Sequence, residues 1–124
     1  MWKSLVAAVL LAATSLPALA AERISPEALH ALQQQGQAPL IIDVRSEQEY
    51  LQGHVPNAML IPHEEIGEYT ESLAGHRDER IVLYCSTNRR AEIAAEELEK
   101  AGFDNLILLE GAFPAWEEAG YPVE

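Results

Sequence analysis

Three runs of the chain are apolar at nearly every position: Leu40-Ile41-Ile42-Asp43-Val44, Ile81-Val82-Leu83-Tyr84 and Leu106-Ile107-Leu108-Leu109. A strand with one wet face alternates apolar and polar residues, whereas a short continuous run marks a strand covered on both faces. A fourth run, Ala58-Met59-Leu60-Ile61, is stopped by Pro62. The segments between these runs carry helical patterning. Ala91, Ala94, Ala95, Leu98 and Ala101 share one helical face, opposite Glu92, Glu96 and Glu99, and Gly102 is a natural stop. Ser25-Pro26-Glu27 starts another helix, with Ser as cap, Pro at the first position and an acid in the first turn; it runs through Leu29 and Leu32 toward Gly36. Ser46-Glu47-Gln48-Glu49 reads as a capping box, and the short helix behind it ends at Gly53. A weakly patterned helix is expected over residues 64–73 and a last one over residues 112–118, before Gly120. Buried strands alternating with helices predict an α/β fold, a mainly parallel sheet with helices on both faces.

The length of 124 residues suits one domain, and no repeat or linker divides it. Against 20 Asp and Glu stand only 8 Lys and Arg, a formal net charge of −12. Nucleic-acid binding needs clustered cations that release counterions, and anionic lipid attracts the same residues, so both partner classes are disfavoured. Cys85 is the only cysteine, which excludes an intramolecular disulfide and cysteine-rich metal centres. His30, His54, His63 and His76 show no metal-ligand spacing.

The first twenty residues stand apart. Lys3 precedes an apolar run over residues 5–13, and the segment closes on Ala18-Leu19-Ala20. This is the layout of a secretory signal, with small residues where a peptidase cuts. The expectation is a cleaved signal peptide over residues 1–20, a mature domain over residues 21–124, and a periplasmic location free of the membrane after cleavage. Loss of Lys3 takes the charge to about −13.

Cys85 follows a buried strand directly and precedes the clearest helix. In parallel α/β sheets, ligands bind beyond the carboxyl ends of the strands. The loop Cys85-Ser86-Thr87-Asn88-Arg89-Arg90 has the parts of an anion cradle: backbone N–H groups at a helix N-terminus, the hydroxyls of Ser86 and Thr87, and the chain's only adjacent basic pair. Asn88 tolerates the left-handed backbone such a loop needs. Helix N-termini and cations favour the thiolate, which is the nucleophile. The alternative is a buried structural cysteine at a strand end; the dense donor loop favours a reactive thiol. Successive helix-start residues point in different directions, so one of Arg89 and Arg90 is expected to be a solvated surface residue.

Four stretches together resemble the single-domain rhodanese (thiosulfate sulfurtransferase) family. They are Asp43-Val44-Arg45; Glu49 with Tyr50 and Gly53-His54-Val55-Pro56-Asn57-Ala58; Tyr84-Cys85-Ser86-Thr87-Asn88-Arg89-Arg90-Ala91; and Gly111-Ala112-Phe113-Pro114-Ala115-Trp116 with Gly120-Tyr121-Pro122-Val123. The resemblance covers roughly residues 24–123 and implies a five-stranded, mainly parallel rhodanese-like sheet. It also implies an enzyme in which Cys85 takes a sulfane sulfur from thiosulfate or a similar anion as a persulfide. Cyanide or a thiol, possibly on a protein, then accepts the sulfur, with no metal or organic cofactor. Ser86, Thr87, Asn88, Arg89 and Arg90 would bind the donor, with Arg90 at the position of the family's closing arginine. Many relatives have glycine where this chain has Asn88.

Two other readings bear on the same loop. A persulfide carrier or a non-catalytic rhodanese-like binding module would look alike in sequence. Phosphatases and arsenate reductases of related fold use Cys-x5-Arg, whereas Cys85 to Arg90 is Cys-x4-Arg. Outside the loop the expectations are structural. Asp43 is expected to bond backbone or an arginine near the site, Arg45 to pair with Glu49, His54 to bond backbone in a turn, and Trp116 to pack in the core.

Overall fold

The computed structural model describes residues 22–124. The expected signal segment lies outside the described residues. Five parallel strands form one sheet in the order β1-β5-β4-β2-β3. They are β1 (Glu22–Ile24), β2 (Leu40–Asp43), β3 (Met59–Leu60), β4 (Ile81–Tyr84) and β5 (Leu106–Leu109). Among the described residues, four α-helices accompany them: α1 (Pro26–Gln34), α2 (Glu47–Leu51), α3 (Arg89–Lys100) and α4 (Ala112–Glu118).

The apolar runs are buried on both sides, as continuous hydrophobicity requires. Side chains alternate faces along a strand. Ile81 and Leu83 of β4 enter one core with Ile42, Leu108 and the α3 residues Ala91, Ala94, Ala95 and Leu98. Val82 and Tyr84 enter the other with Ile41, Ile107, Leu109, Leu29 of α1 and Phe113 and Trp116 of α4. The alanine stripe lets α3 lie close to the sheet, and Leu98, wholly buried, is its anchor. Truncating such a leucine to alanine costs about 2–5 kcal/mol, because lost transfer energy and the cavity add.

Local signals set the helix ends. Ser25 Oγ accepts the Ala28 N–H at 3.0 Å. Ser46 Oγ accepts the Glu49 N–H at 3.2 Å, while the Ser46 N–H donates to Glu49 Oε1 at 3.0 Å, closing the capping box.

Three elements differ from the sequence reading. β1, an edge strand beside β5, carried no signal, because Glu22-Arg23-Ile24 is short and largely polar. β3 is two residues rather than four. The helix expected over residues 64–73 is instead two 3₁₀ segments, His63–Tyr69 and Ala74–His76. Only Ile66 of the first and Leu73 between them are buried there, too few anchors to hold a full α-helical face against the core.

Candidate functional site

β4 delivers Cys85 to the carboxyl edge of the sheet, and the next five residues turn the chain into α3. The Phe113 N–H at the start of α4 donates to the Cys85 carbonyl at 3.0 Å, tying the loop to the opposite layer. Cys85 is wholly buried.

Asn88 makes the turn, in the left-handed region at φ +69°. Its side chain is buried and points under the loop. Oδ1 accepts the Cys85 N–H at 3.2 Å and Nδ2 donates to the Leu109 carbonyl at 2.6 Å. Asn88 thus braces β4, β5 and the loop together, and its amide does not line the mouth of the cradle as a donor would. Its left-handed backbone is as expected; glycine could supply that turn but neither hydrogen bond.

The two arginines part company. Arg89 is exposed, and its N–H lies 3.4 Å from Thr87 Oγ1, with Thr87 itself exposed. Arg90 is half-buried and turns toward the sheet edge. Its Nη1 donates to Glu49 Oε1 at 2.8 Å and its Nη2 to Glu49 Oε2 at 3.0 Å, a bidentate pair. Nη2 also lies 3.3 Å from Ser86 Oγ, and Ser86 Oγ donates to Glu49 Oε2 at 3.1 Å. The Glu49 hydrogen bonds raise the pKa of Arg90, and proximity to Cys85 adds to the effect. The Arg90 guanidinium in turn holds the Glu49 carboxyl well below the usual carboxylate range, with the Ser46 and Ser86 bonds assisting.

This overturns one expected pairing. Arg45 does not reach Glu49. Its Nε donates to Asp43 Oδ1 at 3.0 Å and its Nη2 to Asp43 Oδ2 at 2.7 Å and to the Gly53 carbonyl at 2.7 Å. Residues two apart on extended backbone share a face, and here that face holds Tyr84 and Phe113, over whose ring the Arg45 guanidinium sits at 4.4 Å. The Tyr84 hydroxyl donates to Asp43 Oδ2 at 2.7 Å and accepts the Val55 N–H at 3.0 Å. Burial opposes the charge on Arg45, but the Asp43 pair outweighs it and raises the pKa. Burial, with Asp43 beside it, also raises the pKa of Tyr84 well above the ordinary phenol value. This network welds the residue 53–58 turn to the ends of β2 and β4. Asp43 therefore has the structural role expected of it.

His54 is a turn histidine: its Nδ1 is 2.9 Å from the Tyr50 carbonyl, and its ring stacks on Tyr50 at 3.7 Å. Trp116 is fully buried, and its indole N–H donates to the Pro122 carbonyl at 2.8 Å. Among the described residues, no group of three His, Cys, Asp or Glu side chains is placed to hold a metal ion.

The structure brings Cys85, Ser86 and Arg90 together and adds Glu49, which the sequence marked only as a cap. Among the described residues, the N–H groups of Ser86, Thr87 and Asn88 donate to no protein atom, so the loop retains backbone dipoles at the N-terminus of α3. Fold and site together define an α/β protein with a cysteine loop at the carboxyl edge of a parallel sheet. The chain belongs to the rhodanese-like domain family, whose model matches residues 25–119. It is 33% identical over 99 residues to an uncharacterized protein of Synechocystis, covering 80% of this chain and 54% of that one. It is 35% identical over 92 residues to a tRNA uridine(34) hydroxylase of Escherichia fergusonii, covering 68% of this chain and 26% of that one. Thus it spans about a quarter to a half of the length of these curated relatives. The crystal structure of a rhodanese-related protein from Thermoplasma volcanium superposes with a TM-score of 0.71 at 30% identity, covering 83% of this chain and 97% of that one.

Proposed function

We propose that the protein is a sulfurtransferase working through a Cys85 persulfide. The observation that carries this is the placement of one thiol at the carboxyl end of β4, beside the Arg90 cation and at the N-terminus of α3. A thiolate there attacks the outer sulfur of a sulfane donor such as thiosulfate. The donor's sulfur–sulfur bond breaks, sulfite leaves with the bonding pair, and Cys85 carries the persulfide anion. Cyanide or a thiol then attacks the terminal sulfur and restores the thiolate. The free loop N–H groups and Arg90 stabilise the anionic intermediate. Family membership and the Cys-x4-Arg spacing support this reading over a phosphatase.

The test is intact mass after incubation with thiosulfate, followed by thiocyanate production with cyanide. One added sulfur, removed by cyanide with turnover, is the expected result. No mass gain with any sulfane donor would sink the reading. A single loading without turnover would make the protein a carrier that needs a protein acceptor.

We also propose that the domain acts in the periplasm, supported by the Lys3, apolar-run and Ala18-Leu19-Ala20 pattern. N-terminal sequencing of protein from native cells should start at Ala21; an intact Met1 terminus would refute this.

A further inference from the structure

We propose that Glu49 is a specificity-determining residue that tunes the Cys85 site toward sulfane donors carrying one negative charge, thiosulfonates and organic persulfides, and away from dianionic thiosulfate. The inference rests on the sulfurtransferase reading and names its donor class.

The argument is an inventory of where the cradle's polar groups point. Both terminal nitrogens of Arg90 are engaged by the Glu49 carboxylate, at 2.8 and 3.0 Å. Ser86 Oγ gives its hydrogen to the same carboxylate. The Asn88 amide is taken by the Cys85 N–H and the Leu109 carbonyl, so neither end is available to a donor. Arg89 and Thr87 are exposed. The Arg90 charge next to Cys85 is therefore largely offset by the Glu49 carboxylate, and what a ligand meets is the loop N–H dipoles and the part of the guanidinium that still faces Cys85. Those dipoles already face the Cys85 thiolate, so every charge a donor adds is costly, and a donor with one charge is favoured over a donor with two. A second charge on the donor meets Glu49 with no unmatched cation beside it. Glu49 is also held rigidly by its capping-box bonds to Ser46, so it does not swing aside at no cost.

With methanethiosulfonate as donor the step balances without oxidant or proton. The Cys85 sulfur forms a new bond to the donor's outer sulfur, the donor's sulfur–sulfur bond breaks, and methanesulfinate leaves with the electron pair. Two negative charges enter and two leave. An organic persulfide reacts likewise, with a thiolate as leaving group.

The experiment compares kcat/KM for thiosulfate and for methanethiosulfonate in the unmodified protein and in Glu49→Gln, Glu49→Ala and Glu49→Asp, with folding checked by circular dichroism. Leaving-group chemistry cancels when the ratio of the two donors is compared between variants. That ratio should move toward thiosulfate by about ten-fold in Glu49→Gln and Glu49→Ala, as expected when one fixed charge is removed next to a dianion. Glu49→Asp, which keeps the charge, should stay near the unmodified ratio. Ser46 Oγ still caps the residue 49 N–H in every variant, so α2 keeps half of its capping box. Equal losses on both donors, or a ratio moving the other way, would overturn the proposal and leave Glu49 as a support for Arg90 only. If neither donor loads the unmodified protein, the sulfurtransferase reading itself fails, which is a different outcome.

Discussion

Replacing Asn88 measures how much the loop depends on one side chain. Asn88→Gly keeps the left-handed backbone at φ +69° without strain but removes both amide hydrogen bonds. The buried Cys85 N–H and Leu109 carbonyl are then left to whatever water enters the space the side chain vacated. An orphaned buried group costs about 1–3 kcal/mol, and partial rewetting lowers the sum, so a loss of about 2 kcal/mol is expected. Asn88→Ala loses the same bonds and adds a Cβ in the left-handed region, about 1–2 kcal/mol more. For a domain of this size each kcal/mol moves Tm by roughly 4–8 °C, so Asn88→Gly should melt about 10 °C lower, with Asn88→Ala lower still. Urea denaturation and thermal melts by circular dichroism measure both. A glycine variant within about 0.5 kcal/mol of the unmodified protein would refute the brace. An alanine variant more stable than the glycine variant would refute the role of the left-handed turn.

Cys85→Ser should fold, since the volume change is small, yet gain no mass with any donor and produce no thiocyanate; near-normal turnover would end the persulfide mechanism. Arg90→Ala should lose roughly ten- to a hundred-fold in donor kcat/KM, the worth of a charged hydrogen bond, and Arg89→Ala much less; a reversed order would reassign the binding arginine. The Glu49 carboxyl has its pKa depressed in the folded state, so its stabilising contribution is fully present above the unfolded value of 4.5 and declines as the pH falls below it. The pair is partly exposed, so Glu49→Gln should cost no more than about 1 kcal/mol at neutral pH. That difference should shrink on acidification, and a difference that grows in acid would contradict the assignment. Tyr84, whose hydroxyl donates to Asp43, should not ionise in alkali until the protein unfolds, as ultraviolet titration of the unmodified protein against Tyr84→Phe would show.

Much of this protein is set by interactions that reach only a few residues along the chain. Continuous apolar runs made β2, β4 and β5 legible, because a strand covered on both faces cannot spare polar positions. The caps at Ser25 and Ser46 and the left-handed turn at Asn88 were legible for the same reason: each is a bond or a dihedral within a four-residue window. Cys85 could be placed at a strand end next to a helix start. The rest depends on which segments the fold brings side by side. β1 becomes a strand only because β5 offers its edge. Residues 63–76 form 3₁₀ turns because the fold buries only Ile66 and Leu73 there, too few anchors for an α-helical face. The Arg45 pairing is not legible in the sequence because Asp43, Glu47 and Glu49 all lie within reach along the chain, and only the common face of residues 43 and 45 beside Tyr84 and Phe113 selects Asp43. Glu49 meets Arg90 across 41 residues of sequence. No local pattern encodes that encounter: the order β1-β5-β4-β2-β3 sets β2 beside β4, and α2, which follows β2, then meets the start of α3, which follows β4.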